Sequence, residues 1–366
     1  MNDLDGGLTA ADDEEIFGHG MLYCAAFAND THVARAQGKF ILMTKAIRID
    51  EFGGPEVLQF RKVEIGAPGP GQVRVAHTAI GLNMIDVYFR NGLYPIGLPS
   101  GLGSEAAGVV VATGEGVSGI EVGQRVAYAS PAPLDGYSEE RLIDARLLLV
   151  LPDGIGNETA AAMMLKGLTS WYLLTRSYRV EAGDWIVLYA AAGGVGLIAS
   201  QWASRLGARV IGVVSTEEKR ALALDNGCEH VVLASDDVVG RVRELTDGKG
   251  VAAVYDSVGR ETFYQSLDCL RRHGVMVSFG NASGAVEPFT PLELTKRGSL
   301  YVTRPTLWDF VGERPDLERG AADLFDAVSS GRIHIDVRQR YPLADAATAQ
   351  IDLQSRATVG STVLLP

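Results

Sequence analysis

From Met43 onward, apolar positions come in short alternating runs broken by glycine and proline. "MTKAIRIDEFGG" is followed by "QVRVAHTAIGLN" (72–83), "EAAGVVVATGEGV" (105–117), "GQRVAYAS" (123–130) and "RLLLVLP" (146–152). A period of two, bounded by turn residues, predicts strands, so the chain to about residue 150 reads as a compact, mostly β domain. From about residue 166 whole apolar runs alternate with helical patterns. The runs are "WIVLYAA" (185–191), "RVIGVVS" (209–215), "HVVLA" (230–234), "AAVYDSV" (252–258), "GVMVSFG" (274–280) and "SLYVTR" (299–304). That order predicts a doubly wound parallel sheet covered by helices. An acidic helical pattern, "DLERGAADLFDAVSSG" (316–331), then leads through "HIDVRQRYPL" to a closing strand, "STVLLP", able to rejoin the first domain.

Residues 1–42 differ from the rest of the chain. Their acidic, aperiodic opening, "MNDLDGGLTAADDEEIFGHG", predicts a disordered or loosely attached extension, and an upstream start with Met43 as the usual beginning gives the same pattern. No apolar run reaches the roughly 18 to 20 residues that span a bilayer, and "MLYCAAFA" (21–28) comes after acidic rather than basic residues, so neither a membrane span nor a signal peptide is expected.

The composition is that of a globular chain, with 47% hydrophobic and 21% charged residues over 366 positions, enough for two ordinary domains. Lys and Arg number 33 against 45 Asp and Glu, and a net charge of −12 opposes a broad footprint for nucleic acid or anionic lipid. Three scattered cysteines, Cys24, Cys228 and Cys269, provide neither a disulfide framework nor a four-cysteine zinc site, and suit a reducing, cytoplasmic setting.

The stretch that bears most directly on chemistry is "VLYAAAGGVGLIASQWASRLGARVIGVVSTEEK" (187–219). Between a strand and a helix, glycines let the backbone turn tightly and let a pyrophosphate approach the free N–H groups of the helix start. Gly193, Gly194 and Gly196 meet that need, although "AAAGGVG" departs from the strict G-x-G-x-x-G spacing and a purely structural turn has the same composition. In NAD sites an acid at the end of the second strand holds the ribose 2′-OH, and would repel a 2′-phosphate. Here Ser215 and Thr216 stand at that place, with Lys219 four residues beyond Ser215 and Arg220 beside it, which favours NADPH. Glu217 and Glu218 stand against this, or simply occupy a first helical turn, where acids suit the dipole.

From Met43 to Pro366 the chain resembles the quinone oxidoreductases, the zinc-free, NADPH-dependent branch of the medium-chain dehydrogenase/reductase superfamily, the bacterial ones above all. The resemblance rests on "FGGPEVLQ" (52–59), "AIGLNMIDVYFRNGLYP" (79–95), "LPSGLGSEAAGVV" (98–110), "LKGLTSWYLL" (165–174), "AAAGGVGLIASQWA" (190–203), "VYDSVG" (254–259), "SLDCLRRHGVMVSFGN" (266–281), "GSLYVTRP" (298–305) and "SRATVGSTVLLP" (355–366). It implies a GroES-like, mostly β catalytic domain formed by residues 43–165 and 308–366, with a Rossmann-type NADPH-binding domain, 166–307, inserted between. It also implies a homodimer joined edge to edge near "SLYVTRP". An exposed apolar edge strand wants such a partner, and a covering loop would satisfy it equally.

Where zinc-dependent relatives place Cys and His ligands, the chain has Asn83 and Ser104, neither a usual zinc ligand, and no metal is expected. Catalysis then rests on holding the nicotinamide C4 near an electron-poor acceptor in a dry cleft, which suits quinones. By motif position the resemblance assigns Asn83 and Tyr88 to catalysis and, with Tyr94, to substrate. It assigns Met84, Lys166, Thr169, Tyr172, Gly194, Val195, Ser257, Phe279, Gly280, Asn281, Arg304 and Arg356 to the cofactor, with Ser215 and Lys219 on the 2′-phosphate. Packing alone accounts equally for Tyr88 and Tyr94, a dimer contact for Arg304, and a carboxylate partner for Arg356. Relatives often carry a tyrosine after the third strand of the nucleotide domain, where this chain has Ala234. Competing expectations are an NADPH-dependent reductase of α,β-unsaturated carbonyls and, in another class, a crystallin-like or RNA-binding protein.

Overall fold

The computed structural model describes residues 33–36 and 39–366. The first part of the chain forms strands β1 (Val33–Ala36), β2 (Lys39–Ile49), β3 (Gln59–Ile65), β4 (Gln72–Leu82), β5 (Ser100–Gly101), β6 (Glu105–Thr113), β7 (Arg125–Ala129), β8 (Glu140–Asp144) and β9 (Leu149–Val150), with one short helix, α1 (Met84–Arg90). The tail adds β16 (Val337–Pro342) and β17 (Ser361–Leu365) to the same sheet, in the order β16-β17-β4-β6-β7-β9 with β8 also on β4. Strand β17 runs antiparallel to β4, with Thr362 opposite Leu82, so the C-terminal strand lies beside the residue preceding Asn83.

Two expectations change here. Residues 33–36 and 39–42, expected within a disordered extension, instead form β1 and the start of β2, paired antiparallel, because the β2 ladder continues N-terminally past Met43. The rest of that extension, 1–32, lies outside the described residues. The run 146–152 is also not one strand: the Asp144 side chain accepts from the Arg146 N–H at 2.9 Å and starts a tight turn over Ala145–Leu147, leaving only Leu149–Val150 to pair with β7.

The second half is a six-stranded sheet of order β12-β11-β10-β13-β14-β15, parallel throughout. Its strands are β10 (Trp185–Tyr189), β11 (Arg209–Val214), β12 (His230–Leu233), β13 (Val251–Asp256), β14 (Leu270–Ser278) and β15 (Tyr301–Thr303). Every residue of β13 is buried, as expected of a central strand covered on both faces. Helices α3 (Gly194–Arg205), α4 (Glu217–Asp225), α5 (Val238–Leu245) and α6 (Phe263–Cys269) make the crossovers. The strand order reverses between β10 and β13, which opens a crevice at their carboxyl ends.

Helix α2 (Asn157–Tyr172) joins the halves. Nearly apolar all round, it is buried along most of its length, and its residues from Ala160 to Tyr172 pack in one core with Ala107 and Ala127 of the first sheet and Ile186 and Leu188 of the second. The expected boundary at 165/166 therefore falls in mid-helix. No helix among the described residues is long and apolar enough to cross a membrane.

Candidate active site

A cleft of about 790 Å³ lies between the two halves, at the β10/β13 crevice. One wall is the glycine turn. Gly193 caps α3 without any side-chain hydrogen bond, and the first turn of the helix carries no acid, so its N–H groups are open to an anion. Close approach of backbone requires Gly196, and packing against the Lys166 side chain favours Gly194. A Cβ at Gly196 would lie 2.3 Å from the Ala190 carbonyl oxygen, and one at Gly194 would lie 2.7 Å from Lys166 Cδ. The tail braces this turn from outside, where the Gly360 N–H donates to the Ala192 carbonyl at 2.9 Å.

At the opposite wall a buried polar cluster fixes the start of α1. Glu105, fully buried on β6, accepts from Asn83 Nδ2 at 2.8 Å, from the Leu165 N–H at 2.8 Å and from Lys166 Nζ at 3.1 Å. The Asn83 N–H in turn donates to Asp86 Oδ2 at 2.9 Å, as does the Tyr137 hydroxyl at 2.9 Å. Burial pushes the Asp86 carboxyl up to about 7, against these two donors, which favour the charged form.

Tyr88, one turn further along α1, accepts from the Asn281 N–H at 3.0 Å, which leaves its own O–H free of a protein acceptor among the described residues. Burial holds its hydroxyl protonated, with a pKa raised to about 12. Tyr94 packs edge-on to Tyr88 with ring centroids 5.3 Å apart and receives a 2.7 Å hydrogen bond from Arg304 Nη2. With its amide oxygen turned toward them, Asn281 accepts from both Arg304 Nη2 at 3.1 Å and the Tyr94 hydroxyl at 3.0 Å. Arg304 thus ties the segment after β15 to the loop after α1. On α2, Tyr172 stacks on Phe310 at 4.6 Å and, like Thr169, faces the cleft.

The far end of the cleft continues into a concavity of about 550 Å³ at the end of β11, lined by Ser215, Thr216, Lys219, Arg338 and Arg356 among others. Lys219 Nζ donates to the Arg356 carbonyl at 2.7 Å, and burial together with the Arg356 charge lowers its pKa. The glutamates divide: Glu217 pairs with Arg220 at 2.7 Å and so draws that arginine away, whereas Glu218 lines the concavity itself. Arg356 has a weaker partner, Glu261, at 3.6 Å.

The chain's own geometry brings the residues assigned to catalysis, substrate and cofactor to this one cleft: Asn83, Met84, Tyr88 and Tyr94; Lys166, Thr169 and Tyr172; Gly194, Val195, Ser215 and Lys219; Ser257; Phe279, Gly280 and Asn281; Arg304 and Arg356; Thr216 lines only the adjoining concavity, and Arg220 lines neither. Ala234 lines it as well. Sequence reasoning missed Glu105, Asp86 and Arg338. A lone glutamate inside the apolar run "SEAAGVV" was a legible sign of a buried, partnered charge, whereas nothing local marked Arg338.

The donors around Asn83 do not fit a zinc ion. The Asn83 amide donates to Glu105, the Glu105 carboxylate is taken by three donors, and the Lys166 ammonium stands 3.1 Å from that carboxylate, where a second cation would be repelled. His77 is fully engaged elsewhere, between the Ser138 carbonyl at 2.7 Å and the Tyr128 hydroxyl at 3.0 Å.

Comparisons with known proteins agree with the architecture. The family model described as "Alcohol dehydrogenase GroES-like domain" matches residues 69–172, and the one described as "Zinc-binding dehydrogenase" matches 194–323. A quinone oxidoreductase of Pseudomonas aeruginosa is 51% identical over 326 residues, covering 88% of this chain and all of the relative. A 2-haloacrylate reductase of a Burkholderia species is 45% identical over 332 residues, covering 88% of this chain and 99% of the relative. The crystal structure of Escherichia coli quinone oxidoreductase complexed with NADPH superposes with a TM-score of 0.86 at 48% identity, covering 88% of this chain and all of that one. The chain therefore belongs to the quinone oxidoreductase family of the medium-chain dehydrogenase/reductase superfamily, a GroES-like domain joined to a Rossmann-type nucleotide-binding domain.

Proposed function

We propose that the chain is an NADPH:quinone oxidoreductase that works without a metal. The observation that carries this is the alignment, along one cleft, of an uncapped helix start, a cation-lined concavity where a 2′-phosphate belongs, and an apolar end furnished with two tyrosine hydroxyls. NADPH, when bound, supplies a hydride from its nicotinamide C4. The first N–H groups of α3, at Gly194 and Val195, hold the pyrophosphate, and Ser215 and Lys219 face the 2′-phosphate. Thr169, Tyr172, Ser257 and the Phe279–Asn281 turn shape the trough, and Arg356 lies along its adenosine side.

Reduction of a quinone to a hydroquinone consumes one hydride, which NADPH would supply, and one proton, which solvent would supply as the product leaves, since Tyr88 keeps its own. Tyr88 donates a hydrogen bond to the acceptor's carbonyl oxygen, because its oxygen is already filled by the Asn281 N–H and its proton is free. Burial keeps that proton on the hydroxyl across the physiological range. Asn83, anchored through Glu105, sets the floor on which the acceptor lies, and the apolar walls exclude water. Quinones accept hydride readily, so modest polarisation suffices.

The 45% identical 2-haloacrylate reductase supports a second reading, reduction of an activated carbon–carbon double bond in the same cleft. The proposal includes a cytoplasmic homodimer through the β15 edge, where the Tyr301 side chain is 61% exposed. Fluorescence titration with NADPH and NADH, followed by side-by-side turnover of a simple quinone and an α,β-unsaturated carbonyl, tests it. Tighter NADPH binding and faster quinone turnover are expected. NADPH oxidation with the enone alone selects the second reading, and no oxidation with any quinone refutes the first.

A further inference from the structure

The concavity at the end of β11 is built from two parts of the chain far apart in sequence. Ser215, Thr216 and Lys219 come from the nucleotide-binding half, whereas Arg338 and Arg356 come from the tail that rejoins the first sheet. Arg338 sits at the second position of β16, and its stem crosses the glycine that braces the phosphate turn: a Cβ at Gly360 would lie 3.6 Å from Arg338 Cγ and Cδ. Gly360 itself bridges to Gly193 in parallel register. Strand β16 and the contact with Gly360 thus place the stem of Arg338 beside the nucleotide loop, and its side chain lines the concavity. Its one carboxylate partner among the described residues is Asp336, two residues earlier and on the same strand approach, and the arginine side chain remains 43% exposed.

Resting on the NADPH reading above, we propose that Arg338 is a specificity-determining residue that takes the 2′-phosphate of NADPH from the side opposite Lys219. The dianion then ties the C-terminal return to the nucleotide-binding half. Two guanidinium groups and one ammonium, set against the single carboxylate of Glu218, leave the concavity with an excess of positive charge that an uncharged ribose does not need and that matches a group with several acceptor oxygens. Asp336 acts as the resting partner from which Arg338 turns toward the phosphate, and that competition lowers the gain below what a free arginine would give.

Calorimetric titration of the purified full chain with NADPH, NADH, adenosine 2′,5′-bisphosphate and 5′-AMP tests this without relying on turnover. Arg338→Gln should raise the Kd for NADPH and for the bisphosphate about tenfold and leave NADH and 5′-AMP within about twofold. Arg338→Lys should fall between, since an ammonium keeps the charge but loses the fork. Asp336→Asn should tighten NADPH about twofold to threefold by freeing the guanidinium. Equal weakening of all four ligands by Arg338→Gln would show a structural role and overturn the proposal, as would unchanged affinities in a wild type that still prefers NADPH. A wild type that binds NADPH and NADH equally would overturn the NADPH reading itself, and this inference with it.

Discussion

The buried Glu105–Lys166 pair is the sharpest place to test the site's architecture. Glu105 is fully buried and satisfies three donors, while the Lys166 side chain is 7% exposed. Glu105→Gln keeps the shape but leaves an ammonium with no counter-charge in a place water scarcely reaches. Breaking a buried pair from one side costs about 3–5 kcal/mol, and since the glutamine oxygen still accepts from one or two of the three donors, about 3 kcal/mol is expected. Lys166→Met, which leaves the carboxylate with its Asn83 and Leu165 donors, should cost about 2 kcal/mol. The double variant removes both charges and retains the volume, so it should cost about 2 kcal/mol less than the two singles summed. Urea midpoints, compared at equal slope for the four proteins, give the cycle. A single-variant loss below about 1 kcal/mol, or a double variant equal to the sum of the singles, would show that the pair carries no mutual stabilisation and that the reasoning from burial is wrong.

Tyr88→Phe should lower kcat with a simple quinone by about tenfold to a hundredfold, with the KM for NADPH nearly unchanged, in a steady-state NADPH oxidation assay; a kcat within about twofold of wild type would remove Tyr88 from the chemistry. Asp86, pushed up to about 7 by burial, keeps its proton in the folded state at pH values where the unfolded chain has lost it. The native state then binds more protons, so this group's contribution falls as pH rises from about 4 to about 7 and levels off above, a change of up to about 4 kcal/mol. Asp86→Asn should accordingly flatten the urea-midpoint profile over that window and be the more stable protein at pH 8, and parallel profiles for the two would contradict the burial argument. Gly196→Ala drives a methyl to 2.3 Å from the Ala190 carbonyl and 2.7 Å from the Ala191 backbone. It should cost about 2 kcal/mol or more in thermal or urea unfolding, whereas an unchanged midpoint would mean the turn can open without penalty.

Much of the fold was legible because it is written in local periodicity. The six apolar runs from 185 to 304 all correspond to strands of the parallel sheet, and β13 is buried on both faces as its unbroken apolar run implies. The failures have local causes as well. The run 146–152 has strand composition, yet an Asp144 side chain two residues before Arg146 captured its backbone for a turn. Residues 39–42 belong to β2 because a ladder partner extends them, with Leu42 opposite Ile65, and acidic composition further upstream masked that continuity.

The sequence alone determined which segments extend or coil, where glycine lets the backbone turn and approach a phosphate, and that no acid stands at the end of β11, since each of these depends on neighbours a few residues apart. The tertiary structure decided which distant side chains meet. Asn83 and Lys166 converge on Glu105 across separations of 22 and 61 residues, and Arg338 comes to the Ser215–Lys219 end only because β17 returns beside β4 and carries β16 with it. No periodicity encodes such meetings, because they arise from sheet order and from the burial of α2 in one core shared by the two sheets, and those are properties of the whole chain packed at once.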